Sequence, residues 1–291
     1  HGSATAIFGP AASATVSDLA PSSQRGAWMS AYATAQGTGQ AFGPVLAGYL
    51  LVGGGFERAF IVAALIGLAV PAILARWSPP QHPGVPAVRW TAFKSGLLEV
   101  VGHRLVLITS MAHAAQFVLN GALNAFVPLY GREVVGLTIS QLGWLFGAQT
   151  ITTLAVRPLI GALSDRVGRR DVIVAGLLIC SGAVWVIGTL ETRGMLFAAI
   201  VVYGAGVAAT TAATSAFITD VTRRARYGAA HGVFGTIYDI GDALGPIGAG
   251  FVVTAFGYQA MFQGLGFIGL TMAGVFAFAT RRPVRASSGH A

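Results

Sequence analysis

The sequence predicts an all-α membrane helix bundle, a polytopic chain of two pseudosymmetric halves of which the first is incomplete. Three observations carry that prediction. The 291 residues are 54% hydrophobic and only 10% charged, with mean hydropathy +0.69, whereas a soluble domain carries about 25% charge. Apolar runs of about 20 residues, the length a helix needs to cross a bilayer, recur along the whole chain. One pattern also occurs twice. At an offset of 202 positions, without a gap, Asp18 meets Asp220, Gly39 meets Gly241, Gly43-Pro44 meets Gly245-Pro246, Gly48 meets Gly250 and Gly55 meets Gly257. Glycine and proline dictate backbone geometry, so their coincidence at one offset implies two copies of one structural unit. A β-barrel would need short alternating segments, which the sequence lacks.

A partial span occupies about residues 1–20. Complete candidates follow at about 27–53, 59–77, 104–130, 139–161, 172–190, 195–219, 228–255 and 259–280. The second copy of the repeat has about 100 residues before it and the first has none. The offset therefore predicts an N-terminally truncated chain that lacks roughly 100 residues. Residues 1–77 form a partial first half, 104–281 an intact half of six helices, and 282–291 a tail. The loop 78–103 divides the halves. Pro79, Pro80, Pro83 and Pro86 prevent a continuous helix there. Trp90, Phe93 and Leu97-Leu98, with Arg89 and Lys94 between them, read either as a short helix on the membrane surface or as a solvated linker.

The net charge of +8 could suggest a nucleic-acid partner, but its distribution excludes one. Of the 18 Lys and Arg residues, fifteen collect in alternate loops: Arg25, Arg76, Arg89, Lys94, Arg104, Arg157, Arg166, Arg169, Arg170, Arg223, Arg224, Arg226, Arg281, Arg282 and Arg285. Arg58, Arg132 and Arg193 remain for the other side. This is the positive-inside bias, and it predicts a multi-pass protein of the plasma membrane (bacterial inner membrane) with a cytoplasmic C-terminus. Cys180, the single cysteine, sits inside an apolar run and reads as a packing residue. No metal-ligand cluster, Ser-His pairing or phosphate-cradling loop is present, so no cofactor, metal or enzymatic activity is expected.

The stretch Gly161-Ala-Leu-Ser-Asp165-Arg166-Val-Gly168-Arg169-Arg170 resembles the signature loop of the major facilitator superfamily, and every fixed position of that pattern is met. The elements Gly39-x-x-x-Gly43-Pro44-x-x-x-Gly48 and Gly241-x-x-x-Gly245-Pro246-x-x-x-Gly250 resemble the family's fifth-helix motif and its counterpart in the eleventh. The resemblance covers the whole chain. It implies that residues 1–20 end the fourth helix, that helices five to twelve follow, and that the fold is two six-helix halves. It further implies a conformational latch made by Gly161, Asp165, Arg166, Gly168, Arg169 and Arg170. Asp165 would pair with nearby arginines or with the helix start near Arg25–Trp28, since helix N-termini attract anions. Gly168 permits the tight turn.

Asp239 and Asp242 are the strongest site candidates. Both lie near the middle of span 228–255, where an unpaired carboxylate is expensive, and three residues apart they share a helix face. Their repeat equivalents are Gly37 and Gln40, so the repeat itself does not require acids there. The pair is expected to carry protons. His113 and Arg157 are possible partners from other helices. Gln116, Asn120 and Asn124 recur every four residues on one face of span 104–130. Tyr32, Gln36 and Gln40 line another span, and Gln149 a third. Polar faces on several helices of an apolar bundle predict a central substrate cavity; interhelical hydrogen bonds would use the same residues. Thr210, Thr211, Thr214 and Ser215 fit either role. Pro44 and Pro246, each beside Gly43 or Gly245, predict helix kinks.

Together these features predict a monomeric secondary active transporter that moves a small solute by alternating access, with the small-molecule substrate, protons and the lipid bilayer as its partners. The fifth-helix motif implies proton-coupled efflux of a drug-like or small organic compound. An uptake permease of the same fold and an inert or partner-binding truncated membrane protein are the alternatives. An intramembrane aspartyl protease needs its two carboxylates on facing helices; here both lie on one.

Overall fold

The computed structural model describes residues 25–76, 102–222 and 227–281, and positions 12, 15, 16 and 19–21 before them. The partial span at 1–20 is therefore described at six positions only. The Pro-rich loop with Trp90 and Phe93, the Arg223–Arg226 cluster and the tail lie outside the described residues. Six helices are present among the latter: α1 (Arg25–Arg76), α2 (Arg104–Glu133), α3 (Ile139–Val167), α4 (Arg169–Ile187), α5 (Arg193–Val221) and α6 (Tyr227–Ala279). The all-α bundle is as expected.

The repeat is written into the backbone. α1 and α6 are each two spans joined at a glycine with positive φ: Gly55 (φ 68°) and Gly257 (φ 80°), which are 202 positions apart. A side chain at such a φ would be strained, so glycine lets the chain leave one helix and enter the next within a residue. The helical dihedral angles continue through Pro44 and Pro246; within α1 and α6 the departures lie at Gly55 and Gly257. Beyond Gly257 the chain turns back. Asn120 pairs with Asp242 in the first segment, while Tyr130 packs on Phe262 near the start of the second. Arg104 and Phe278 then line one cavity at the far end, so the second segment runs antiparallel to α2.

Among the described residues five segments are long and apolar enough to cross a membrane by length and composition: Gly55–Ile73, Arg104–Glu133, Arg169–Ile187, Arg193–Val221 and Gly232–Ala279. α3 falls outside that group because Gln141, Gln149, its threonines and Arg157 dilute its apolar residues. Packing carries it instead. Thr138 caps its first turn in a reciprocal box with Gln141, satisfying two orphan backbone donors. Its Gly143 and Gly147 let the first segment of α1 approach, with the Pro44 carbonyl over Gly143 and Val45 over Gly147.

Small residues set the other contacts too. α4 and α5 cross antiparallel where Gly176 meets Thr210 and Gly206 meets Cys180. The buried core sits among α2, α3, α4, α5 and α6, around Leu119, Leu123, Leu145, Ile187, Tyr203 and Phe262. Cys180 is fully buried in it, as its sequence context predicts. Without hydrophobic expulsion to drive helices together in lipid, close backbone approach and interhelical hydrogen bonds do that work.

Candidate functional site

α2 and α6 meet along a seam with almost no side chains in it. A Cβ at Gly241 would meet the Ala114 carbonyl oxygen at 2.5 Å, and one at Gly121 or Gly245 would run into the carbonyl of Asp242 or Val118. This close fit fixes the register of the two helices and so places their polar residues. Asn120 Nδ2 donates to Asp242 Oδ1 at 3.2 Å. Asp242 is half-buried, and Asp239, one turn earlier, is exposed. Among the described residues Asp239 makes no hydrogen bond or ion pair.

The polar stripe of α2 takes up three different situations. Asn124 is exposed and Asn120 half-buried, while Gln116 is fully buried. Gln116 Nε2 donates to the Tyr203 hydroxyl at 3.4 Å, and its Oε1 has no partner among the described residues. His113, also buried, stacks on Phe234 at 4.7 Å and meets Tyr238 edge-on at 5.2 Å. Its Nδ1 lies 3.2 Å from Thr214 Oγ1. That hydroxyl also lies 2.7 Å from the Thr210 carbonyl oxygen, and the tautomer of His113 sets which group of the His113–Thr214 pair donates. Thr210 bonds its own helix at Gly206 O, so both the Thr210 and Thr214 hydroxyls have backbone acceptors within their own helix.

Neither His113 nor Arg157 pairs with the two aspartates. Arg157, exposed on α3, stands within electrostatic reach of His113 and makes no hydrogen bond or ion pair among the described residues. Gln149 is buried where α3 meets α5, beside the bond from Thr153 to the Gly204 carbonyl (2.9 Å). On α1, Gln36 and Gln40 are exposed and Tyr32 half-buried. The repeat equivalent of Asp239, Gly37, lies under Leu154 of α3.

The signature loop is a charge network. Gly168 (φ 112°) separates α3 from α4 and is the reason no side chain stands there. Arg169 pairs with Asp165 at 2.5 Å and with Asp220 at the end of α5 at 3.1 Å, and donates to Ser164 Oγ at 2.6 Å. Arg170 clamps the end of α6 through Thr280 Oγ1 (3.0 Å) and the Ala277 carbonyl (2.8 Å). Arg166 and Asp165 are exposed, and Gly161 has open space about it. The partner of Asp165 is thus an arginine of its own loop. The side chains of Arg25, Gly26 and Ala27, at the other end of the expected latch, lie outside the described residues. Asp220 and Tyr203 are the participants that sequence reasoning missed. The repeat match of Asp18 to Asp220 was the available signal for the first; Tyr203, inside an apolar run, gave none.

A family model for the Major Facilitator Superfamily matches residues 1–140 and 105–291. An uncharacterized MFS-type transporter of Methanocaldococcus jannaschii is 23% identical over 266 residues, covering 89% of this chain and 67% of that protein. A multidrug resistance protein of Dickeya zeae is 24% identical over 269 residues, covering 88% and 63%. Other relatives are matched over shorter stretches, among them a multidrug transporter of Bacillus subtilis of which the chain spans 29%. The chain thus spans about two thirds, or less, of the relatives it matches. A crystal structure titled as a bacterial homologue of the human lysosomal transporter Spinster, inward-facing and occupied, superposes with a TM-score of 0.78 at 16% identity, covering 94% of this chain and 73% of that one. Family model, bundle and signature loop agree, and the chain belongs to the Major Facilitator Superfamily.

Proposed function

We propose that this chain is part of a secondary active transporter that moves a small solute across the plasma membrane by alternating access, as a proton-coupled exporter of a drug-like or small organic compound. The carrying observation is the carboxylate pair on α6. Asp242 accepts from Asn120 while Asp239, on the same face one turn away, has no partner among the described residues. An intramembrane acid that the repeat does not require is functional by default. Two acids one turn apart also favour a shared proton, because ionising both in an apolar setting is costly.

The names of the multidrug relatives support the export reading and its substrate class. Asn120, Asn124, Gln36 and Gln40 are the proposed cavity residues, with Gln116 and Gln149 held behind them and Tyr32 at the edge. The arginine-rich ends of the helices, with the signature loop and the tail, face the cytoplasm. The transporter acts as a monomer, so that the two halves rock about one central site.

The test is solute flux in proteoliposomes of the complete protein, measured across a range of pH. Asp239→Asn or Asp242→Asn should abolish or flatten the pH dependence with membrane insertion intact. A wild-type pH profile in the double variant would overturn the reading.

A further inference from the structure

The geometry points to a binding site for an anionic phospholipid in the groove between α2 and the second segment of α6. Two cavities of about 560 Å³ each share Met111 and Val275 and so form one trough. It opens at Arg104, Leu107 and Phe278 and ends among Val118, Leu244 and Phe267. From Arg104 to Val118 the trough covers about 21 Å at the α-helical rise. The hydrocarbon of one leaflet is about 15 Å deep. The trough is therefore long enough to take one acyl chain from the membrane surface past the bilayer centre. Its walls are almost wholly carbon. Thr271 is a polar wall residue, and its hydroxyl is already given to the Phe267 carbonyl at 2.8 Å. Nothing in the deep part asks for a polar solute.

Charge is confined to the mouth. Arg104 makes no hydrogen bond or ion pair among the described residues. The Arg281 guanidinium lies 5.8 Å from the ring centre of Phe278, itself a wall of the trough. Among the described residues neither cavity is lined by an Asp or Glu. Arg170, nearby, is held by Thr280 and Ala277 and belongs to the frame. Two guanidinium groups at the edge of an acyl-length apolar trough complement one phosphodiester with its chain attached.

The repeat separates this groove from the face on which α6 would receive a helix. α3 covers the face of α1 that holds Gly37, Pro44 and Gly48. Shifted by 202 positions, that face on α6 holds Asp239, Pro246 and Gly250. It lies on the side of the helix away from Gly241 and Leu244, which line the trough.

The test uses the wild-type chain in vesicles of phosphatidylcholine with a minority of phosphatidylglycerol. The protein is extracted in mild detergent and its retained lipid measured by native mass spectrometry. Phosphatidylglycerol should be retained well above its share of the vesicle. Arg104→Gln with Arg281→Gln should lower that retention by about fivefold per arginine. Arg132→Gln with Arg193→Gln, the same charge change at the opposite ends of the helices, should leave it unchanged. Gly274→Leu adds a side chain where a Cβ meets nothing within 4 Å, on the trough wall. It should block the chain and lower retention with no change of charge, and it carries the test if the arginine variant fails to insert. Retention at the bulk ratio in the wild type overturns the site. So does a loss that follows the arginines but ignores Gly274→Leu, because it leaves the groove empty.

Discussion

Arg169 holds two carboxylates at once, and the exposures of the three groups decide what that is worth. Arg169 is 24% exposed, Asp165 61% and Asp220 55%. A single exposed pair contributes about 0–1 kcal/mol, so neither partner alone makes a firm lock. The arginine is the shared point: losing it cuts α3 and α5 from α4 together. In the complete protein, Arg169→Gln should therefore depress transport more than Asp165→Asn, with folded protein in the membrane similar for both. Asp165→Asn should still shift cysteine accessibility between the two sides of the membrane, and unchanged accessibility with normal transport would leave the loop a topogenic role only. Gln116 offers a second residue-scale test. Its Oε1 is buried without a partner among the described residues, a state that costs roughly 1–3 kcal/mol. Gln116→Leu with Tyr203→Phe removes that cost together with the weak bond between the two side chains, and leaves no buried hydroxyl orphaned. The variant should be as stable as wild type by thermal melting, or more so, whereas an ordinary buried polar deletion destabilises.

At the scale of elements, the seam between α2 and α6 separates glycines that matter to packing from those that do not. A Cβ at Gly245 would strike the Val118 carbonyl, while one at Gly248 meets nothing within 4 Å. Overpacking a tight contact costs about 1–3 kcal/mol. Relief of glycine's backbone entropy in a helix returns up to about 1 kcal/mol. Gly245→Ala should lower the melting temperature in detergent and Gly248→Ala should not; equal melting of the two variants would show that the seam is slack. The elements were legible in the sequence largely because they are lipid-crossing. Apolar length announced them, and glycines matched at one offset announced both Gly55 and Gly257. Pairings were less legible. Asn120 and Asp242 were each visible as polar residues in apolar runs, but their bond depends on the register that Gly121, Gly241 and Gly245 set across two distant helices. Asp220 faces Arg169 only once α4 and α5 cross at Gly176 and Gly206. Sequence spacing carries no trace of such a crossing.

For the whole molecule, the repeat and the charge bias make separate statements that one labelling experiment joins. The charge bias predicts that the Arg-bearing ends of α1, α2, α3 and α6 share one side of the membrane. A cysteine placed at Ser288 in the tail, in a Cys180→Ala background, should react with a membrane-impermeant maleimide from the cytoplasmic side only. Reaction from the opposite side would invert the orientation. Cys180 itself, at 0% exposure in the core, should stay unlabelled from either side until the protein is unfolded.

The seam's glycines have a mechanical consequence. Where side chains fill the space between two helices, they can change rotamer and absorb a displacement, so the contact behaves as a soft mounting. At Gly121, Gly241 and Gly245 the backbones of α2 and α6 face each other directly, and a backbone has no rotamers to yield. A tilt of the first segment of α6 is then delivered to α2 almost undamped, and with it the spacing between Asp242 and Asn120 is preserved. The polar pair travels as a single part on a stiff beam, and any play in the machine has to be found elsewhere.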